Sequence, residues 1–213
     1  MVQPNDTFHN LSAEKRHRFI RAAVREFAHN GYRQASLNSL VRDLGIAKGS
    51  VYRYFADKEA LYLYLFDDFV QQVKGAVKEA VGEGQGDFFA RVEQVFLAGL
   101  GFIDRYPDYY RIYLRLLSEN DTPRRDELLG RIRLFSEDFF LPLCQEAQGA
   151  GRIRADIPAR LIIFMIDSLL DRFLQAYAGG CPDGGNRFSG MEDADLKNQV
   201  RQIIAALQTG VAR

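Results

Sequence analysis

SLNSLVRDLGIAKGSVYRYFADKEAL, residues 36–61, decides how this chain is read. Ser36 is a good N-cap, and Leu37, Leu40, Val41 and Leu44 follow at helical spacing to give one apolar stripe. Gly45 ends that helix where a left-handed residue costs least, and Ile46 turns back toward the core. A second helix is expected from Lys48 to Phe55, with Val51 and Phe55 four apart on its inner face and Lys48, Gly49, Ser50, Tyr52 and Arg53 left outside. Asp57 can cap a third helix opening at Lys58, whose first turn holds Glu59 where the helix dipole favours a negative charge.

The second helix has polar, basic and aromatic tips where a buried helix would have Leu or Val. A helix entering a DNA major groove needs room for close approach, short donors for phosphate oxygens and longer groups to reach base edges. Gly49 and Ser50 meet the first two needs; Lys48, Tyr52 and Arg53 meet the third. The competing reading is an ordinary helical hairpin with Lys48 and Arg53 as solvated charges. What precedes the segment weighs against it. Ser12 to Asn30 reads as an amphipathic helix with Ile20, Ala23, Val24, Phe27 and Ala28 inward, Arg18, Arg21 and Arg25 on another face, and Gly31 as its stop. Tyr32 follows in the connection. Three helices in this order make a tripod with the last as reader.

With FIRAAVREFAHNGYRQAS (19–36) and LVRDLGIAKGSVYRYFADKEALY (40–62), the run from about Ser12 to Phe66 resembles the TetR family of bacterial transcriptional regulators. The resemblance implies a homodimeric, ligand-responsive repressor with a helical C-terminal domain. It also implies that Ser36 and Asn38 lie near the DNA backbone and groove edge. Lys48, Gly49, Ser50, Tyr52, Arg53 and Tyr54 then fall on the recognition helix, and Lys58 contacts a phosphate. Many members have Ser or Thr where this chain has Ala47, so the recognition helix lacks a side-chain cap, a loss of roughly 1 kcal/mol that packing can offset.

Charge distribution agrees with a phosphate-binding head. The 213 residues carry no formal net charge, yet residues 1–58 hold ten Lys and Arg against five Asp and Glu, and the remainder holds eighteen against twenty-three. A basic head on an acidic body suits a DNA-binding module attached to something that stays off DNA. The expected division is a helix-turn-helix DNA-binding domain over 1–57 and a helical effector-binding and dimerisation domain over 58–213. With 47% hydrophobic residues there is ample material for a core.

Two cysteines, Cys144 and Cys181, show no paired spacing, so a disulfide scaffold is not expected and a reducing cytoplasm is the natural home; a redox role for either stays open. MVQPNDTFHN lacks the basic and apolar regions of a secretory signal. The longest apolar stretch, around Leu161 to Leu170, is interrupted by Asp167 and too short to span a bilayer, so no membrane partner is expected.

Beyond residue 60 the pattern stays helical, for an all-α chain of about nine helices. The helix from Lys58 runs to Val81 and the Gly-rich VGEGQG. Further helices are expected over Asp87–Arg105, Pro107–Leu117, Arg124–Gln148 with a kink at Pro142, Pro158–Ala178 and Ala194–Gln208. GGCPDGGNRFSG, residues 179–190, reads as a flexible linker. Leu161, Phe164, Met165, Ile166, Leu169, Phe173 and Leu174 give one late helix a broad apolar face, matched by Leu196, Val200, Ile203 and Leu207 on the last. Two such helices from each subunit would close a four-helix dimer bundle about a two-fold axis. Phe96, Phe102, Tyr106, Tyr109, Tyr110 and Tyr113, with Phe135, Phe139 and Phe140, crowd the middle helices and can line a cavity for an apolar or aromatic effector.

These features point to a sequence-specific DNA-binding regulator, and the resemblance implies a homodimeric repressor released from a palindromic operator by a small molecule. An activator or a chromosome-organising protein would share the same DNA-binding head, and a helical small-molecule carrier or enzyme would share the body. No metal-ligand spacing surrounds His9, His17 or His29, and no phosphate loop, nucleophile elbow or catalytic acid pair is visible, so neither enzyme activity, metal nor cofactor is expected.

Overall fold

The computed structural model describes residues 4–82, 87–179, 188 and 190–211. Among them are ten helices and no β-strand: α1 (Asp6–His9), α2 (Ala13–Gln34), α3 (Leu37–Leu44), α4 (Lys48–Tyr54), α5 (Lys58–Val81), α6 (Phe88–Arg105), α7 (Pro107–Ser118), α8 (Arg125–Gly149), α9 (Ala159–Tyr177) and α10 (Asp193–Val211). The all-α reading holds, with one helix more than expected because α1 carries too few residues to show a period. The linker residues 180–187 and 189, Cys181 among them, and residues 83–86 of the Gly-rich stretch lie outside the described set.

Local chemistry sets half of the helix starts. Ser12 Oγ accepts from the Lys15 N–H at 3.4 Å, Ser36 Oγ from Ser39 at 3.3 Å, Asp57 Oδ1 from Ala60 at 2.7 Å and Asp87 Oδ1 from Ala90 at 2.8 Å. Pro107 opens α7, where its missing N–H costs nothing. Gly31, expected to end α2, instead kinks it: the residue sits at φ 69°, ψ 175°, and helical geometry resumes as far as Gln34. α8 carries Pro142 in its interior.

The chain forms two compact units, Met1–Gln72 with Tyr106–Leu129, and Val73–Arg105 with Gly130–Arg213. This division differs from a boundary after residue 57. Leu61, Leu65 and Phe66 on α5 are at most 1% exposed and belong to the first unit, and α7 joins that unit through α2. There Arg115 Nε donates to the carbonyl oxygen of Ala28 at 2.7 Å, its guanidinium also reaching His29 O and the Glu119 carboxylate. The centre of the first unit is aromatic: the Phe8 ring lies 5.5 Å from Phe19, 5.6 Å from Tyr54 and 5.0 Å from Phe55. Ile46 is only half-buried.

The second unit packs Val77 and Val81 of α5 with α6, α8, α9 and α10 around Val92, Phe96, Phe140, Cys144, Ile162, Ile166 and Val200. Burial pushes the Cys144 thiol up to about 11, away from the thiolate form that redox chemistry needs. Among the described residues, no helix is long and apolar enough to cross a membrane and no group of three His, Cys, Asp or Glu is placed to hold a metal.

Candidate nucleic-acid interface

α2, α3 and α4 set the reading helix on a fixed base. Arg18 Nη2 donates to Leu44 O at 3.1 Å, and the Ser36 N–H donates to Glu26 Oε1 at 2.7 Å, so the two ends of α3 are tied to α2. Gly45 takes the left-handed conformation, φ 66°, ψ 32°, that lets the chain reverse into α4. Ala47 provides no side-chain cap. The inner face of α4 is closed by Val51, with Phe55 just beyond its last residue; both are 1% exposed.

Its outer face carries Gly49, Tyr52 and Arg53. Tyr52 is 52% exposed although it is a large ring, and a methyl group built on Gly49 would meet nothing within 4 Å. An aromatic side chain left in water on a helix whose other side is locked down is the exposed apolar feature that asks for a partner. Asn38 is exposed in the first turn of α3 and Ser36 half-buried at its cap. Lys48 is the first residue of α4, and its side chain lies outside the described set.

Two of the residues expected to contact DNA are buried in this structure. Ser50 is 6% exposed and Tyr54 9% exposed, one turn apart on the flank of α4 that meets α1. Tyr54 packs edge-on against Phe19 at 5.5 Å, so it is a core residue. Asn5, unremarked in the sequence, secures this flank: its backbone N–H donates to Tyr54 O at 2.9 Å and its amide to Arg53 O at 3.1 Å.

Lys58 is half-buried at the start of α5, where Nζ donates to Arg33 O at 3.0 Å and lies 4.9 Å from the centre of the Tyr32 ring. Burial lowers its pKa, with Glu26 opposing the shift. Tyr32 in turn stacks on Phe27 at 6.3 Å, so one ring links the end of α2 to the ammonium that opens α5.

The match to known proteins falls on this assembly. Residues 19–65 fit the model of "Bacterial regulatory proteins, tetR family". The chain carries a TetR-family N-terminal domain. By that domain it is a DNA-binding transcriptional regulator, and the family is one of regulators rather than enzymes. The HTH-type transcriptional repressor AcnR of Corynebacterium diphtheriae is 25% identical over 168 residues, 78% of this chain and 82% of that one. A TetR-family transcriptional regulator of Chloroflexus aurantiacus has a crystal structure that superposes with a TM-score of 0.75 at 27% identity, covering 99% of each chain. The fold is shared with FadR of Bacillus subtilis, whose crystal structure contains stearoyl-CoA, at a TM-score of 0.71 and 17% identity over 91% of this chain and 98% of that one.

Of the nine aromatics expected around an effector, Phe140 lies in the core of the second unit and the other eight divide between the units. Tyr106, Tyr109, Tyr110 and Tyr113 belong to the first, where Tyr109 and Tyr113 stack on Phe69, each at 6.2 Å, and the Tyr109 hydroxyl donates to Asp68. Burial, with Asp68 beside it, raises the Tyr109 pKa far above the usual phenol value. Phe96, Phe102, Phe135 and Phe139 belong to the second. Phe96 is fully buried against Phe173 at 5.8 Å, whereas Phe135 and Phe139 are half-buried and 6.4 Å apart, with Lys74 Nζ 5.4 Å from the Phe135 ring centre.

The surfaces expected at a dimer interface separate by exposure. On α9, Ile162, Ile163, Ile166 and Phe173 face the core, while Leu161 and Phe164 on the opposite side are 48% and 65% exposed and Leu169, on the flank beside the core stripe, is 40% exposed. Met165 is half-buried. The α10 stripe differs from expectation: Leu196, Val200 and Leu207 are 5%, 0% and 8% exposed and Ile203 is half-buried, because the unit's own core uses that face. Leu134 on α8, not singled out in the sequence, is 60% exposed.

Proposed function

We propose that this TetR-family protein is a cytoplasmic homodimeric repressor that grips a palindromic operator with α4 of each subunit and lets go when a small apolar or aromatic molecule binds its second unit. The observation that carries the DNA-reading part is the two-sidedness of α4: Val51 at 1% exposure inside, Tyr52 at 52% outside. Tyr52, Arg53, Lys48 and Asn38 read bases or groove edges, Gly49 gives close approach, and Ser36 and Lys58 meet phosphates.

Dimerisation is supported by the second apolar face of α9. Leu161, Phe164, Met165 and Leu169 would form the seam, with Leu134 beside it. A two-fold dimer presents two α4 helices to successive major grooves, about 34 to 36 Å apart. We assign the effector site to the half-buried Phe135 and Phe139 together with Phe102, which is buried but lies outside the main core cluster of the second unit. The stearoyl-CoA in FadR is a precedent within the fold for a ligand with a long apolar body. α5, with 58–72 in the first unit and 73–81 in the second, is the element through which an effector would change the separation of the reading helices. A hundredfold loss of operator affinity requires a coupling of about 2.7 kcal/mol, within the usual range.

Footprinting on genomic fragments tests this reading. A short palindromic protection that disappears with effector is the expected result; continuous coverage indifferent to sequence would reject it.

A further inference from the structure

The most unusual polar chemistry in the second unit lies on α6. Arg91 Nε and Gln94 Oε1 are sealed from solvent, and neither has a hydrogen-bond partner among the described residues. Buried polar atoms are satisfied in the great majority of cases, and a guanidinium N–H is an especially costly one to leave unmade. The carboxylates adjacent in sequence are engaged elsewhere: Asp87 Oδ1 takes the Ala90 N–H at 2.8 Å, and Glu93 takes Arg201 at 3.3 Å.

Helix geometry says which way this pair points. α6 meets α9 and α10 through Glu93 with Arg201, Phe96 with Phe173, Gly99 against Leu174, and Asp104 with the Tyr177 hydroxyl at 2.6 Å. Positions 91, 94, 98 and 102 recur at intervals of three and four and so form the opposite stripe. That stripe runs from a cationic donor and an amide acceptor, over Ala98, to Phe102, with the polar groups at one end and the aromatic ring at the other.

We infer that Arg91 and Gln94 form the polar end of the effector site, and that the effector is an apolar molecule ending in an anionic group, a carboxylate or a phosphate. This rests on the reading of the chain as a ligand-responsive regulator and specifies the class of ligand. An anionic oxygen meets the Arg91 N–H with a charge-assisted hydrogen bond, the strong kind, while Gln94 Oε1 accepts from a hydroxyl, an N–H or a protonated acid. The ligand's apolar body lies along the Ala98 and Phe102 end. Arg91 then resembles other groups held at a cost to stability because a ligand uses them.

The test uses the full chain without DNA, with two matched probe sets: dodecanoate, dodecyl phosphate and dodecanol, and 2-naphthoate with 2-naphthol. At least one acid is expected to bind at least about tenfold more tightly than its matched alcohol, in line with a charged hydrogen bond. Arg91→Gln should erase that preference, and whether dodecanoate or dodecyl phosphate binds more tightly identifies the head group. In the absence of any probe, Arg91→Met should raise the Tm by a few degrees, because an unpaired buried donor is removed. Alcohols binding as well as acids, no probe binding, an acid preference that survives in Arg91→Gln, or a lowered Tm in Arg91→Met would each overturn the inference. Operator footprinting without probe is scored separately: palindromic protection by a chain indifferent to acids sinks the ligand class alone, and acid binding through Arg91 without any palindromic protection sinks the regulator reading alone.

Discussion

Arg115 on α7 donates to the carbonyl oxygen of Ala28 on α2 at 2.7 Å, three residues before the Gly31 kink. With Glu119 against the same guanidinium, this clamp satisfies carbonyls that the kink would leave open. A methyl group on Gly31 would come within 2.6 Å of Glu119 Oε2, at a φ of 69° that side chains rarely adopt. Arg115→Ala is expected to lower stability by about 2 kcal/mol, the scale of a lost charged hydrogen bond, and Gly31→Ala by at least about 1 kcal/mol. Urea denaturation of the two variants checks both; wild-type midpoints would show that α7 does not brace α2.

Tyr52 and Tyr54 are two residues apart and have opposite fates. Tyr52→Ala removes an exposed ring and should leave the unfolding midpoint within error while weakening operator binding about tenfold or more. Tyr54→Ala removes a ring packed on Phe8 and Phe19, and is expected to cost about 3 kcal/mol of stability. Titration of a fluorescent operator, beside thermal melts of the same samples, separates the two; a Tyr52 variant with full affinity would remove that residue from the interface.

Lys58 already holds Arg33 O and the Tyr32 face, so its ammonium is oriented before DNA arrives. Lys58→Ala should weaken binding to all sequences and make the slope of log K against log salt shallower by about one, as for one phosphate no longer neutralised. An unchanged slope would mean that Lys58 only pins α5 to the end of α2.

Much of this head was legible because its signals are local. Ser36, Gly45 and Asp57 each fix a helix end through their own side chain or backbone, so residue type and position suffice. The burial of Ser50 and Tyr54 was not legible. It depends on Phe8 and Asn5, brought in from a four-residue helix too short to carry a period. The burial of the α10 stripe was illegible for a different reason: Leu196, Val200 and Leu207 have the same spacing whether their partner is another subunit or their own core. Arg91 and Gln94 look like two ordinary polar residues on a helix until burial is known.

Asp167 on α9 accepts from Ser136 on α8, and burial raises its pKa above the ordinary 3.8 despite that hydrogen bond. A carboxyl whose folded pKa is raised binds its proton more firmly in the native state. Its favourable contribution is therefore complete at low pH and is lost as pH rises from about 3.8 through the folded value. Asp167→Asn keeps an acceptor for Ser136 without the charge. It is expected to melt above wild type at pH 7, with the difference shrinking toward pH 3.5. Parallel pH dependences of the two Tm values would show that Asp167 is solvated well enough to ionise freely.

Phe164 is the residue on which the proposed dimer seam is best tested. It is 65% exposed, on the side of α9 opposite Ile162, Ile163 and Ile166, so one helix is apolar on two faces and its own core uses only one. A charge at the centre of an apolar two-fold seam meets its own symmetry mate, and repulsion adds to desolvation. Phe164→Asp should therefore convert a dimer to a folded monomer in sedimentation velocity, with unchanged helicity because the side chain is mostly exposed. Operator affinity should fall steeply, since a monomer engages one half-site. A dimer that survives this substitution, and Leu161→Asp as well, would place the seam away from this face of α9.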